Sequence, residues 1–287
     1  MYRVRYRAVL FLVIVVTAFN LFGEKRTRMG KMEDPGEFKK RCGIVPHALT
    51  LSEEGVFVTP WDSVVRQLFE DQSGTEISAF PVAFKNAGVF GRTWNANVPA
   101  ASLQIGIYAL QGYEAALSCM VENASRTSMS TIPFKRAGHD AGNLMLVPDL
   151  GPLDCVLFVY KNIFFNLSCK KGSFDLINLA GRLATGAEPY SLKKAEYFPP
   201  LLLHPEASNR ISLNATVVVE FKMIPEQKTS RFDAFVGPGK FIRILDINRT
   251  RTTLQGIKTG STKVNVVCGD TITFLSATTS IDIEIVP

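Results

Sequence analysis

Residues 280–286 alternate strictly, with Ile281, Ile283 and Ile285 on one side of the chain and Ser280, Asp282 and Glu284 on the other. A period of two fits a strand with one dry and one wet face, and it fits no helix. Further segments of the same kind are predicted at 76–84, 103–110, 115–121, 144–147, 155–160, 163–168, 212–223, 234–236, 241–247, 263–267 and 271–275. Gly, Pro and Asn punctuate them. Many short strands separated by turn residues predict a mainly all-β chain built from β-sandwiches. Helical spacing of Val64, Val65, Leu68 and Phe69 predicts one short helix over 61–70. Residues 174–183 read as helix or strand, and 190–209, bearing Pro199, Pro200 and Pro205, as loop. A boundary near 169–173 then gives two sandwich domains, 43–170 and 171–287. A single large distorted sandwich is the alternative.

Charge is unevenly placed. Residues 1–41 hold ten Lys/Arg and four Asp/Glu, which leaves 22 of each beyond. A neutral folded part without a basic stripe excludes a nucleic-acid reader. The N-terminal excess surrounds an apolar run from Ala8 to Phe22, preceded by Arg3, Arg5 and Arg7 and followed by Glu24-Lys25-Arg26-Thr27-Arg28. That order is the signature of a secretory signal, and a run of this length is short for a span that takes about 20 residues. Residues 1–23 therefore read as a signal peptide or signal-anchor, and 24–42 as a charged linker. Everything after them is expected outside the cell, with membrane attachment only through that anchor.

An oxidising compartment makes disulfides the first expectation for the five cysteines, Cys42, Cys119, Cys155, Cys169 and Cys268. Residues 155–169 read as a hairpin. A three-residue turn at Lys161-Asn162-Ile163 sets Cys155 opposite Cys169 and predicts their disulfide, with Cys42–Cys119 as a possible second. A two-residue turn would instead set Cys155 against Ser168, and Cys169–Cys268 is the competing pairing. The odd thiol leaves a disulfide-linked dimer open. The three-residue register also places Phe158, Tyr160 and Phe164 on the face of Asn166, although core packing is the ordinary fate of such aromatics. Four Asn-x-Ser/Thr acceptors, Asn123, Asn166, Asn214 and Asn248, are expected glycosylation sites. Asn214 falls on the polar side of an alternation running from Ile211 to Lys222, between inward Leu213 and Ala215.

Motifs for phosphate cradling, zinc proteolysis or a nucleophile elbow are absent from the sequence. His47, His139 and His204 are the three histidines. His139-Asp140 is the most suggestive pair, yet neighbours in sequence point apart and a solvated turn is the simpler reading. Asp175, Glu188, Glu196 and Glu206 offer carboxylates without a fixed separation, so ordinary surface acids are expected. No cysteine or histidine cluster has metal-ligand spacing. Neither a cofactor, a metal site nor a catalytic set is predicted.

The second half resembles CUB and CUB-like extracellular modules. The resemblance rests on Ile211-Ser-Leu-Asn-Ala-Thr-Val-Val-Val-Glu-Phe221, then Arg231-Phe-Asp-Ala-Phe-Val-Gly237, then Val266-Val-Cys-Gly269 with 272–276 and 281–285. In the first half, Trp94-Asn-Ala-Asn-Val-Pro99 before 103–110 is similar to divergent members. The resemblance implies a CUB-like or jelly-roll sandwich and an adhesion or recognition role. Glu226 and Asp233 match two of the acids with which such modules hold calcium, and the late Ser-Asp is missing. The expected function is that of a secreted or tethered glycoprotein binding a protein or glycan ligand. An extracellular hydrolase using His139, His47 or Asp140 and a disulfide-linked assembly protein are the rivals.

Overall fold

The computed structural model describes residues 33–44, 55–80, 83–85, 89–127, 133–138, 141–193, 196, 201–203, 210–224, 230–236, 241–248 and 250–287. The proposed signal at 1–23, all three histidines, Asp140, Glu206 and Glu226 lie outside the described residues. Antiparallel sheets dominate, with about 50% strand and 21% helix. The chain is mainly β, as the alternation implies.

One large sheet organises the first half. Its strands are β2 (Glu76–Ala79), β3 (Ala83–Lys85), β4 (Val89–Val98), β5 (Ala101–Ala109), β6 (Phe134–Arg136), β7 (Leu144–Pro148), β8 (Cys155–Tyr160) and β9 (Ile163–Gly172). Their order is β2-β4-β5-β9-β8-β7-β6, with β3 also on β4. Short β1 (Val56–Phe57) pairs separately with β10 (Ser191–Leu192).

Helices, and not a second sheet, cover this sheet. On one face α2 (Trp61–Gln67) and α4 (Leu176–Ala187) bury Trp61, Val64, Leu179 and Leu183 against Ile105, Ile107, Phe158 and Phe165. The rings of Phe158 and Phe165 stack there at 4.1 Å. On the other face α1 (Pro35–Arg41) and α3 (Tyr113–Thr127) bury Phe38, Leu117, Met120 and Val121 against Leu146, Leu157, Val159 and Phe164. Two expectations change here. Residues 115–121 belong to a helix, because Tyr113, Ala116, Leu117, Met120, Val121 and Ala124 recur at helical spacing and all are buried. The linker 24–42 ends in α1, which Asp34 caps by accepting from Gly36 N (2.8 Å) and Glu37 N (3.2 Å) and which anchors Phe38 in the core.

In the second half two sheets share one core. One sheet runs β12 (Arg210–Ser212), β19 (Ser276–Val286), β18 (Gly260–Asp270), β15 (Ser230–Val236). Facing it are β13 (Thr216–Glu220), β17 (Arg251–Gly256) and β16 (Ile242–Ile247), and Val219, Leu254, Val264, Ile281, Ile283 and Ile285 share the core between. A small pair, β11 (Leu201–Leu203) with β14 (Lys222–Ile224), forms a separate two-stranded sheet beside β19. The boundary expected at 169–173 is crossed twice: α4 packs on the first sheet, and so do Phe274 and Leu275 from the β18–β19 turn.

Two further details differ from the sequence reading. Residues 212–223 are not one strand: Asn214 takes φ 63°, the chain turns, and Leu213 and Ala215 are exposed. The hairpin of β8 and β9 closes through two residues, Lys161 and Asn162, pairing Tyr160 with Ile163 and Cys155 with Ser168. Asn162 explains the tight closure. Its buried side chain accepts from Phe57 N (2.8 Å) and donates to Leu110 O (3.4 Å), so Lys161 takes the left-handed conformation at φ 52°. The aromatics consequently divide, Phe158 and Phe165 to one face and Phe164 to the other, all fully buried.

Candidate functional site

Helix α3 covers only part of its face of the sheet. Over β7, β8 and the start of β9 the residues beneath it are apolar, whereas Gln104, Asn166 and Ser168 on β5 and β9 carry polar groups to the same face and are half-buried. Between the helix and these strands lies a half-open cleft of about 440 Å³, within the usual range for ligand sites.

The register places the floor. Cys155 on β8 stands opposite Ser168 on β9, which stands opposite Gln104 on β5; Leu157 stands opposite Asn166. Asn123 of α3, the strand-paired Phe134 and Pro148, and exposed Asp154 add to the lining. A bulge in β9 completes the lining: Leu103 pairs with Cys169 and Ser102 with Lys171, so Lys170 has no partner strand residue and turns into the cleft. Tyr108 lies on the same face of the sheet. A Cβ on Gly91 would come within 2.5 Å of its ring and one on Gly106 within 3.1 Å, so both positions are bare to let the ring lie against the sheet.

Electrically the lining balances, with Asp154 and Lys170 as its charged members. Three side-chain amides and a hydroxyl offer both donors and acceptors in a partly water-excluded space. Cys155 is no nucleophile here, since burial pushes its thiol up to about 11. Such a lining suits an uncharged ligand rich in hydroxyl or amide groups.

A second cluster forms at the hairpin tip. Lys161 Nζ lies 2.6 Å from Ser191 Oγ and 3.3 Å from Glu188 Oε2, over the Phe57 ring at 4.4 Å. Tyr160 donates to the other Glu188 oxygen. Burial lowers the pKa of Lys161 from the ordinary lysine value. Sequence reading missed this pair because Lys161 and Ser191 are far apart in sequence and belong to no motif.

The sites expected from sequence are dispersed. All five cysteines are free thiols, none at disulfide distance from another. For Cys155 and Cys169 the reason is the two-residue turn, and Cys169 Sγ donates to Lys171 O (3.4 Å) and Gly172 O (3.6 Å). In place of a bond to Cys119, Cys42 Sγ donates to Phe134 O (3.4 Å). Asp175 is the N-cap of α4, Glu188 binds Tyr160 and Lys161, and Glu196 accepts from Lys193 N (3.3 Å). Asp233 Oδ1 accepts from Ala234 N (2.9 Å). Among the described residues no group of three His, Cys, Asp or Glu side chains is placed to hold a metal ion. No helix among them is long and apolar enough to cross a membrane. Of the four glycosylation acceptors, Asn214 and Asn248 are exposed in turns, while Asn123 and Asn166 are half-buried and line the cleft.

The chain matches no protein-family model and no curated protein.

Proposed function

We propose that this chain is an exported, non-catalytic recognition protein that holds a neutral glycan in the cleft between α3 and the large sheet. The observation that carries this is the lining: Gln104, Asn123, Asn166 and Ser168 gathered beside the apolar surface of Leu157 and Phe134, in a space of about 440 Å³. Sugar hydroxyls pair as donors and acceptors with amides, while the C–H faces of the ring pack on apolar carbon. Export enters from the basic and apolar order of residues 1–23. The CUB-like resemblance falls mainly on the second half, with 94–99 and 103–110 its only carriers near this cleft, and it agrees with a recognition role without carrying it. Binding of the purified protein to an array of neutral oligosaccharides tests the reading. Gln104→Ala and Asn123→Ala should each lose most of the signal with unchanged melting temperature, and an array without any bound glycan rules the reading out.

A hydrolase is favoured by one separate observation, the 2.6 Å approach of Lys161 Nζ to Ser191 Oγ. In that reading Lys161, once it has released its own proton, takes the proton of the Ser191 hydroxyl as the hydroxyl oxygen bonds to an ester carbonyl. The carbonyl's bond to the alcohol oxygen then breaks, Lys161 returns the proton to that oxygen, and water releases the acid by the same steps. A fluorophosphonate probe should label the wild type and not Ser191→Ala. Absence of labelling in the wild type removes this alternative.

A further inference from the structure

The row of polar residues that begins inside the cleft does not end there. Cys155 faces Ser168, Ser168 faces Gln104, Gln104 faces Asn95 and Asn95 faces Ser78, each pair in direct register across adjacent strands. Directly opposed side chains stand on the same face of a sheet, so the row runs across β8, β9, β5, β4 and β2 on the side where α3 lies. With strands about 4.8 Å apart, it is about 19 Å long. Its first three members line the cleft, and its last two lie beyond it. Asn95 is half-buried and Ser78 exposed.

From these registers the geometry points to an extended track for a linear, uncharged polysaccharide, several sugar units long, of which the cleft is one end. This rests on the glycan reading of the cleft and extends it to ligand length. Three properties of the face carry it. The row is continuous with the cleft, so a chain seated there leaves along it. All five of its side chains are uncharged in the folded protein, which matches an uncharged polymer, and Lys170 is the single cation of the cleft lining that an acidic ligand would meet. Its step, set by the strand spacing, presents a polar group repeatedly along one line, as a polymer with hydroxyls on every unit requires. A small ligand held by the cleft alone would draw no affinity from Asn95 or Ser78.

Titration calorimetry with graded cello-, chito- and laminari-oligosaccharides of two and six units tests the track on the full chain. In the series that binds, the six-unit sugar should bind roughly tenfold more tightly than the two-unit sugar, equivalent to about 1.4 kcal/mol. Asn95→Ala should remove that difference while leaving disaccharide affinity unchanged, and Gln104→Ala should weaken both lengths. Equal affinity for both lengths, or a length effect untouched by Asn95→Ala, overturns the track while Gln104-dependent binding keeps the cleft reading standing. Absence of binding at either length in all three series overturns both. Asn95→Ser, which keeps a hydrogen-bonding group, should retain part of the length effect and guards against a folding defect.

Discussion

At the scale of single residues, burial sets the chemistry of the thiols more than their number does. Cys268 is fully buried on β18 in the sandwich core, and burial pushes its pKa from the ordinary 9.0 up to about 12, with Asp270 adding to the rise and a hydrogen bond with Ser230 opposing it. A raised folded-state pKa means that between these values the folded protein holds a proton the unfolded chain has released. Stability from this group is therefore full below pH 9 and falls as pH climbs toward 12. Denaturant unfolding of wild type and Cys268→Ala at pH 8 and pH 10.5 should show a smaller loss in the variant, whatever its baseline stability. Equal losses would mean that Cys268 does not contribute to the alkaline slope. A neutral thiol is also a poor nucleophile, so Cys268 and Cys155 should resist alkylation in the folded protein at neutral pH.

Among the elements, acceptor asparagines separate by where the turns fall. Asn248 is exposed in a turn and its Oδ1 accepts from Thr250 N and Arg251 N, both at 3.0 Å; Asn214 is exposed at φ 63°. Asn166 lies mid-strand on β9, hydrogen-bonded between β8 and β5 on the floor of the cleft. Protein from secretory cells should carry glycan on Asn214 and Asn248 and none on Asn166, as glycopeptide mass spectrometry reads directly. A modified Asn166 would refute the open cleft. Strand identity in this region was legible because period-two alternation is local, and so was the helix at Trp61–Gln67. Helix α3 was missed because Ala115–Val121 read alone imitates a strand, and only the longer window from Tyr113 to Ala124 exposes the helical repeat. The hairpin register was open in the sequence. Lys161-Asn162 lacks the glycine that usually announces a two-residue turn, and what decides it is the buried anchorage of Asn162 to Phe57 and Leu110, contacts far away along the chain. The cleft was invisible for the same reason, since Gln104 and Ser168 become neighbours through sheet order, and Asn123 joins them only through the packing of α3 on the sheet.

For the molecule as a whole, the two halves are joined by a plug. The turn between β18 and β19 is tied by Asp270, whose Oδ1 accepts from Ile272 N (3.0 Å), Thr273 N (2.7 Å) and Thr273 Oγ1 (2.9 Å). This network holds Phe274 at φ 63°, a conformation that costs a bulky residue of order 1–3 kcal/mol. What offsets that cost is the fully buried ring, edge-on to Phe90 at 6.0 Å, tilted on Trp94 at 5.9 Å and beneath the Arg92 guanidinium at 5.8 Å. Asp62 of α2 locks the far side by accepting from Trp94 Nε1 (2.8 Å) and from Arg92. The ring thus belongs to the core of the large sheet although its backbone belongs to the sandwich. Its removal strips the first core of a packing partner and leaves the strained turn without its compensation. Phe274→Ala should cost about 3–5 kcal/mol, as other buried phenylalanine truncations do. It should also uncouple the halves: one cooperative transition in the wild type, by calorimetry, should give way to a broadened or double transition in the variant. An unchanged melting temperature would show that the plug seen between Phe90 and Trp94 does not join the halves in solution.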